Sequence, residues 1–110
     1  MARNVTKLAT IANGQTASDA VDTDTQLLSG ILFPSAMTGT TVTFKFSTDG
    51  SSWKDIKETD GSAVSYTFSA DDVVRVDPSG WAFASGGYLQ IVSGSSEGAE
   101  RKIVLIFRAS

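Results

Sequence analysis

The sequence predicts an all-β fold: a jelly-roll-like sandwich of two antiparallel sheets built from seven or eight strands. Three observations carry this. Thr40 to Phe68 alternates apolar and polar residues with a period of two, interrupted by two Asp-Gly dipeptides. Strand-like runs recur along the whole chain at spacings of about twelve residues, each bounded by turn residues. No stretch has the 3.6-residue periodicity of a useful helix.

Val5 to Ala12 is the first expected strand, closed by the Asn13-Gly14 turn. Gln15 to Thr25 is polar and carries Asp19, Asp22 and Asp24. Gln26 to Phe33 is apolar enough for a strand covered on both faces, and Pro34 ends it. The central expectation is a three-stranded meander. Val42, Phe44 and Phe46 alternate with Thr43, Lys45 and Ser47, the chain turns at Asp49-Gly50, and Trp53 to Glu58 returns. It turns again at Asp60-Gly61, and Val64, Tyr66 and Phe68 resume the pattern. Val73 to Val76 is a short strand stopped by Asp77-Pro78-Ser79-Gly80. Trp81 to Ala84 reads as a single helical or irregular turn, with Gly86-Gly87 as a hinge. Tyr88 to Val92 and Lys102 to Phe107 are the last strands, linked by a soft loop from Ser93 to Glu100. Phe44, Phe46, Leu89, Ile91, Leu105 and Phe107 are the expected inter-sheet core. In the last strand Val104 and Ile106 add apolar residues on the second face, as in a central strand or one that meets another chain.

At 110 residues the chain has the size of one domain, residues 1–110, with 1–25 expected to be partly an extended arm and loop. Apolar residues make up 41% and charged residues 19%, the proportions of a globular rather than a disordered chain. Net charge is −3 and the nine Lys and Arg are scattered, which argues against nucleic acid as a partner. Neither a membrane-spanning run nor a Sec leader is expected.

Cys and His are both absent. Disulfides and nitrogen- or sulfur-ligated zinc are therefore excluded, as is a histidine general base. The expectation is a protein that is not an enzyme and needs no cofactor or metal.

Several constellations bear on binding. Ser47-Thr48-Asp49-Gly50-Ser51-Ser52-Trp53 resembles the Asp-box of sialidase propellers with Asp and Gly brought together, and reads as a turn stabilised by its aspartate. Trp53, Tyr66, Trp81 and Tyr88 offer an aromatic platform for sugar rings, with Asp55 or Gln90 as hydroxyl partners, although core or interface placement is the commoner fate of such residues. Asp19, Asp22 and Asp24 have a loose calcium-like spacing without the glycine and bidentate glutamate of an EF-hand. Asp71-Asp72 reads as a turn signal, and Asp55 with Glu58 as a solvated pair. Met1 to Lys7 and Gln15 to Thr25 have too few apolar residues to be ordered by their own domain, so a partner surface is expected to order them. The candidate partner-binding residues are Arg3, Asn4, Lys7, Asp19, Asp22, Trp53, Trp81 and Tyr88.

Leu28-Ser29-Gly30, Pro34-Ser35-Ala36, the Thr48-Asp49-Gly50 turn with Trp53, Asp77-Pro78, Trp81 and Tyr88-Leu89-Gln90-Ile91 together carry a resemblance. From about Leu27 onward the chain resembles the small head-decoration, or staple, proteins of podophages of the epsilon-fifteen type. That resemblance implies a jelly-roll-like domain that binds the outer surface of an icosahedral capsid and strengthens it. It implies the major capsid protein as partner, a homodimer across capsid two-fold positions, and a virion location after synthesis in the bacterial cytoplasm. The alternative is a tail- or fibre-associated carbohydrate-binding module, with surface sugars as ligand.

Overall fold

A computed structural model describes residues 4–109. Nine strands form two antiparallel sheets. They are β1 Asn4–Ile11, β2 Val21–Asp22, β3 Gln26–Leu32, β4 Thr41–Ser47, β5 Lys54–Asp55, β6 Tyr66–Thr67, β7 Val73–Arg75, β8 Tyr88–Ser93 and β9 Arg101–Ala109. The first sheet has the order β1-β9-β3-β7, and the second runs β2-β8-β4-β5 with β6 also on β4. The chain crosses between sheets at most connections, so sequence neighbours lie in different layers and the core is closed by long-range contacts. That is the jelly-roll-like sandwich the turn spacing predicts.

The interior follows from the alternation. Ala9, Ile11, Leu28, Ile31, Ile103, Leu105 and Phe107 from the first sheet are buried against Val42, Phe44, Leu89 and Ile91 from the second. Five of the six expected core residues are among them. Phe46 is only half-buried, because it stands at the rim and packs on Phe83 with ring centroids 5.6 Å apart. A 3-10 helix, Pro78–Ala84, closes the sandwich between β7 and β8. Asp77 caps it by accepting from the Ser79 N–H, and Pro78 occupies the first turn, where its missing N–H costs nothing. Trp81 from this helix is buried edge-on to Phe44, with centroids 4.7 Å apart. Helix formation thus begins three residues earlier than the sequence reading placed it.

The meander is the main correction. β5 and β6 do not pair with each other in series; both lie against β4, β5 at Lys45–Phe46 and β6 at Thr41–Val42. Between them residues 56–64 leave the sheet as a small hairpin held by the Lys57–Ala63 bridge. Both Asp-Gly dipeptides turn the chain as expected, with Gly50 at φ 84° and Gly61 at φ 90°. β4 is simply too short to hold two full returning strands on one edge, so each takes two residues of it.

β3 also departs from expectation. Leu28 and Ile31 face inward, but the strand is bulged between Leu28 and Gly30, and Leu32 on its other face is 38% exposed. It is covered on one side only.

The N-terminal segments are ordered by their own domain, contrary to the sequence reading. Residues 4–11 pair along their length with β9, from Asn4–Arg108 to Ile11–Arg101. Within Gln15 to Thr25, Ala17 bridges Val92, β2 pairs β8, and the buried Thr23 hydroxyl donates to the carbonyls of Ala84 and Gly87. Backbone pairing supplies what apolar side chains do not. Residues 1–3, and Arg3 with them, lie outside the described residues.

Candidate functional site

The site is built by the first sheet's outward-facing residues. Because β1, β9, β3 and β7 are in register, Leu8 stands opposite Val104, Val104 opposite Leu32, and Leu32 opposite Val73. The result is an apolar row across all four strands. Its ends are open, with Leu8 54% and Val73 62% exposed. The adjacent row runs Thr6–Ile106–Gly30–Arg75. β9 is central in its sheet, which is the first reading of Val104 and Ile106, and within the described residues its outer face is only partly covered. The outward strand positions of this face include Lys102, Arg75 and Arg108 and no Asp or Glu. Lys102 lies 3.9 Å from Glu100, whereas Arg75 and Arg108 have no ion pair among the described residues. In a chain of net charge −3, this face alone is cationic and apolar.

The second sheet's outer face is mainly polar, with Val92, opposite Thr43, as an apolar exception. Thr43, Lys45, Gln90 and Asp22 point outward there, and Lys45 lies 3.7 Å from Asp55 across the β4–β5 pair. Tyr88 shares that face, lying beside the Gly50 turn.

A second concavity opens beside the 3-10 helix. This cleft of about 560 Å³ is lined by Phe46, Tyr66, Trp81 and Phe83 with Lys54, Asp55 and Asp77 at its border. Phe83 is 54% exposed and leans on Trp81, centroids 6.0 Å apart. Trp81 itself donates from Nε1 to the Tyr66 hydroxyl at 3.1 Å.

The structure disperses the candidates named from sequence. Trp81 is buried, Trp53 is half-buried beyond the Asp49 turn, and Tyr88 lies on the polar face, so with Tyr66 they form no single platform. Asn4 is exposed at the start of β1. Lys7 points to the sandwich side of β1, where Nζ donates to Asp24 Oδ2 at 2.6 Å and lies 5.6 Å from the Phe107 ring centre. Asp19 Oδ1 accepts from the Thr10 N–H and Asp22 Oδ1 from the Asp24 N–H. Lys7 and Asp19 thus tie the segment of residues 15–25 to β1, Asp22 braces the turn within it, and all three serve the fold. The exposed aromatic of the cleft, Phe83, went unnoticed because a phenylalanine between two alanines gives no signal of exposure.

Glu97 is the residue the sequence reading missed most plainly. The loop expected to be soft is anchored by this buried carboxylate, which accepts from the N–H groups of Thr38 (2.8 Å) and Gly39 (3.0 Å), Ser93 Oγ (2.6 Å) and Arg101 Nε (2.9 Å). Burial pushes its pKa up and is the largest single influence. The hydrogen bond from Ser93, then those from Thr38, Gly39 and Arg101, together outweigh it and hold the carboxyl at about 2. Gly39 is required here, since a Cβ would overlap the Ser93 hydroxyl. The glutamate-to-arginine spacing of four was the available clue.

The Asp49 turn behaves as the Asp-box likeness implies. Asp49 Oδ1 accepts from the N–H groups of Ser52 and Ser51 and from Ser47 Oγ, which holds its carboxyl well below the usual range.

No protein-family model matches the chain, and neither does any curated protein sequence. Solved structures do match. The chain is similar to the SPBc2 prophage-derived protein YomS, with a TM-score of 0.62 at 9% identity, over 99% of this chain and 96% of that one. More distant likenesses are to a Cupin 2 conserved barrel domain protein from Salinispora arenicola CNS-205 (TM-score 0.42, 12% identity, 94% of this chain and 61% of that one) and to the Yersinia pseudotuberculosis-derived mitogen YPM (TM-score 0.44, 12% identity, 100% and 88%). The chain shares the end-to-end fold of a prophage-derived protein.

Proposed function

We propose that this chain is a phage protein that decorates the outer surface of an icosahedral head, docking on the major capsid protein through the outer face of its first sheet. The observation that carries the reading is the in-register row Leu8–Val104–Leu32–Val73, open to solvent on a four-stranded sheet. A rigid sheet presents such a row without loss of backbone entropy on binding, and the cations beside it orient an acidic partner surface. The full-length fold likeness to a prophage-derived protein supports a phage origin. Many weak contacts repeated over a shell then reinforce it collectively. The role asks for no catalysis, and its place is the virion after assembly in the host cytoplasm. A dimer across a shell two-fold adds through the edge of β1 at its N-terminal end, before Ile11 bridges Ser18 and closes the rest of that edge.

The test is quantitative mass spectrometry of purified virions, followed by cryo-EM. Hundreds of copies per particle, with the first sheet against the shell, are expected. A few copies at the tail would overturn the decoration role.

A second reading, a carbohydrate-binding module of a tail or fibre, is favoured by one observation: Phe83 is exposed over a cleft bordered by carboxylates and lysine. Binding of surface glycans that is lost on Phe83→Ala, with undecorated heads equally robust to heat, would replace the first reading.

A further inference from the structure

Beyond the apolar row, the first sheet's outer face is not flat. The β3 bulge inserts Ser29 between Leu28 and Gly30, and the Ser29 hydroxyl is turned back to donate to the Ile106 carbonyl at 3.2 Å. An inserted residue bends the strand and breaks the ladder locally. A depression of about 380 Å³ opens at that point, lined by Asn4, Ser29, Arg75, Val76, Pro78 and Arg108. The two arginines arrive from different strands, Arg75 opposite Gly30 and Arg108 opposite Asn4.

Arg75 and Arg108 both line one concavity, and neither has a carboxylate within ion-pair distance among the described residues. Two like charges held together without a counter-ion repel, and an oxyanion between them removes that repulsion. Guanidinium forks suit such a ligand because each presents paired N–H donors to two oxygens. The Asn4 carboxamide adds two further donors.

We infer that Arg75 and Arg108, with Asn4, form a carboxylate-binding pocket that receives a Glu or Asp side chain of the docked partner protein. The occupant rests on the docking reading above; the pocket stands on its own geometry. It fixes the register of the apolar row on the partner, as one charged anchor beside a run of non-directional contacts does.

The experiment is an NMR titration of the arginine side-chain Nε–H groups in the intact protein, with the probe N-acetyl-Glu-Glu-amide at constant ionic strength. Saturable shifts at Arg75 and Arg108 are expected, with a Kd on the order of 1–10 mM. Arg101, engaged by Glu97, should not move. The neutral isostere N-acetyl-Gln-Gln-amide should give no saturation. Arg108→Lys, which keeps the charge and loses the fork, should weaken binding about tenfold, as loss of a charge-assisted hydrogen bond does. A linear response to the glutamyl dipeptide, or an equal response to the glutaminyl one, overturns the pocket. Saturation by inorganic phosphate at tenfold lower concentration than the dipeptide overturns the carboxylate assignment. The titration contains no particle, so a failure of the docking reading cannot produce either result.

Discussion

The two sheets share one interior and differ on their outer faces. The second sheet shows water Thr43, Lys45, Gln90 and Asp22, with Lys45 neutralised by Asp55 across the strand pair. The first shows Leu8, Leu32 and Val73, beside arginines that have no ion pair among the described residues. An antiparallel sheet that packs on one side is expected to be polar on the other, and the second sheet obeys this. The first does not, although its strands are longer and the centre of its inner face is buried. The excess apolar surface is therefore not a requirement of the sandwich. The docking role proposed for the first sheet accounts for this difference.

The comparison can be attacked first through what the faces share. Phe44→Ala removes a ring buried between the sheets and packed on Trp81, and should destabilise the domain by about 3–5 kcal/mol in chemical denaturation. A loss below about 1 kcal/mol would mean that the two sheets do not depend on one core. Glu97→Gln comes next. It leaves Arg101 with no carboxylate and should cost roughly 2–4 kcal/mol. Its effect must also depend on pH. The folded carboxyl titrates below the ordinary 4.5, so its contribution is complete above that value and disappears as pH falls towards about 2. The stability gap between wild type and Glu97→Gln should close over that window, and a gap that persists at pH 2 would contradict the hydrogen-bonded carboxylate.

Smaller effects on stability separate the faces directly. Leu8→Ser with Val73→Ser should change unfolding free energy by less than about 1 kcal/mol, because both side chains are mostly exposed, yet should lower retention on particles at least tenfold. Thr43→Ser on the second sheet's outer face should alter neither. Equal effects from the two faces would erase the distinction. Smallest of all, Phe83→Ala should shift stability by about 1 kcal/mol or less and leave retention on heads unchanged. Reduced retention would move the docking surface to the cleft beside the 3-10 helix.

Legibility in the sequence was uneven. The β4 alternation, the two Asp-Gly turns and the burial of Phe44, Leu89, Ile91, Leu105 and Phe107 could all be read, since side-chain period and turn chemistry are local. Val104 and Ile106 gave a sign of the open face, but Leu8, Leu32 and Val73 each lie in a different strand and could not be joined to them. Lys7 and Asp19 looked like free polar groups awaiting a partner, and groups on other elements absorbed them, while Asp22 is taken up locally by the Asp24 N–H.

By itself the sequence determined the all-β class, most of the strands, the turns at Gly50 and Gly61, and the absence of any Cys or His chemistry. These depend on backbone preferences and residue types that act over a few positions. Tertiary structure alone decided that β5 and β6 share one edge of β4, that residues 15–25 fold onto β8, and that Glu97 meets Thr38 and Gly39. It also decided the register that lines Leu8, Val104, Leu32 and Val73 into one row. Register is a relation between strands, set by how two hydrophobic faces close on each other, and a one-residue slip would turn every one of those side chains inward.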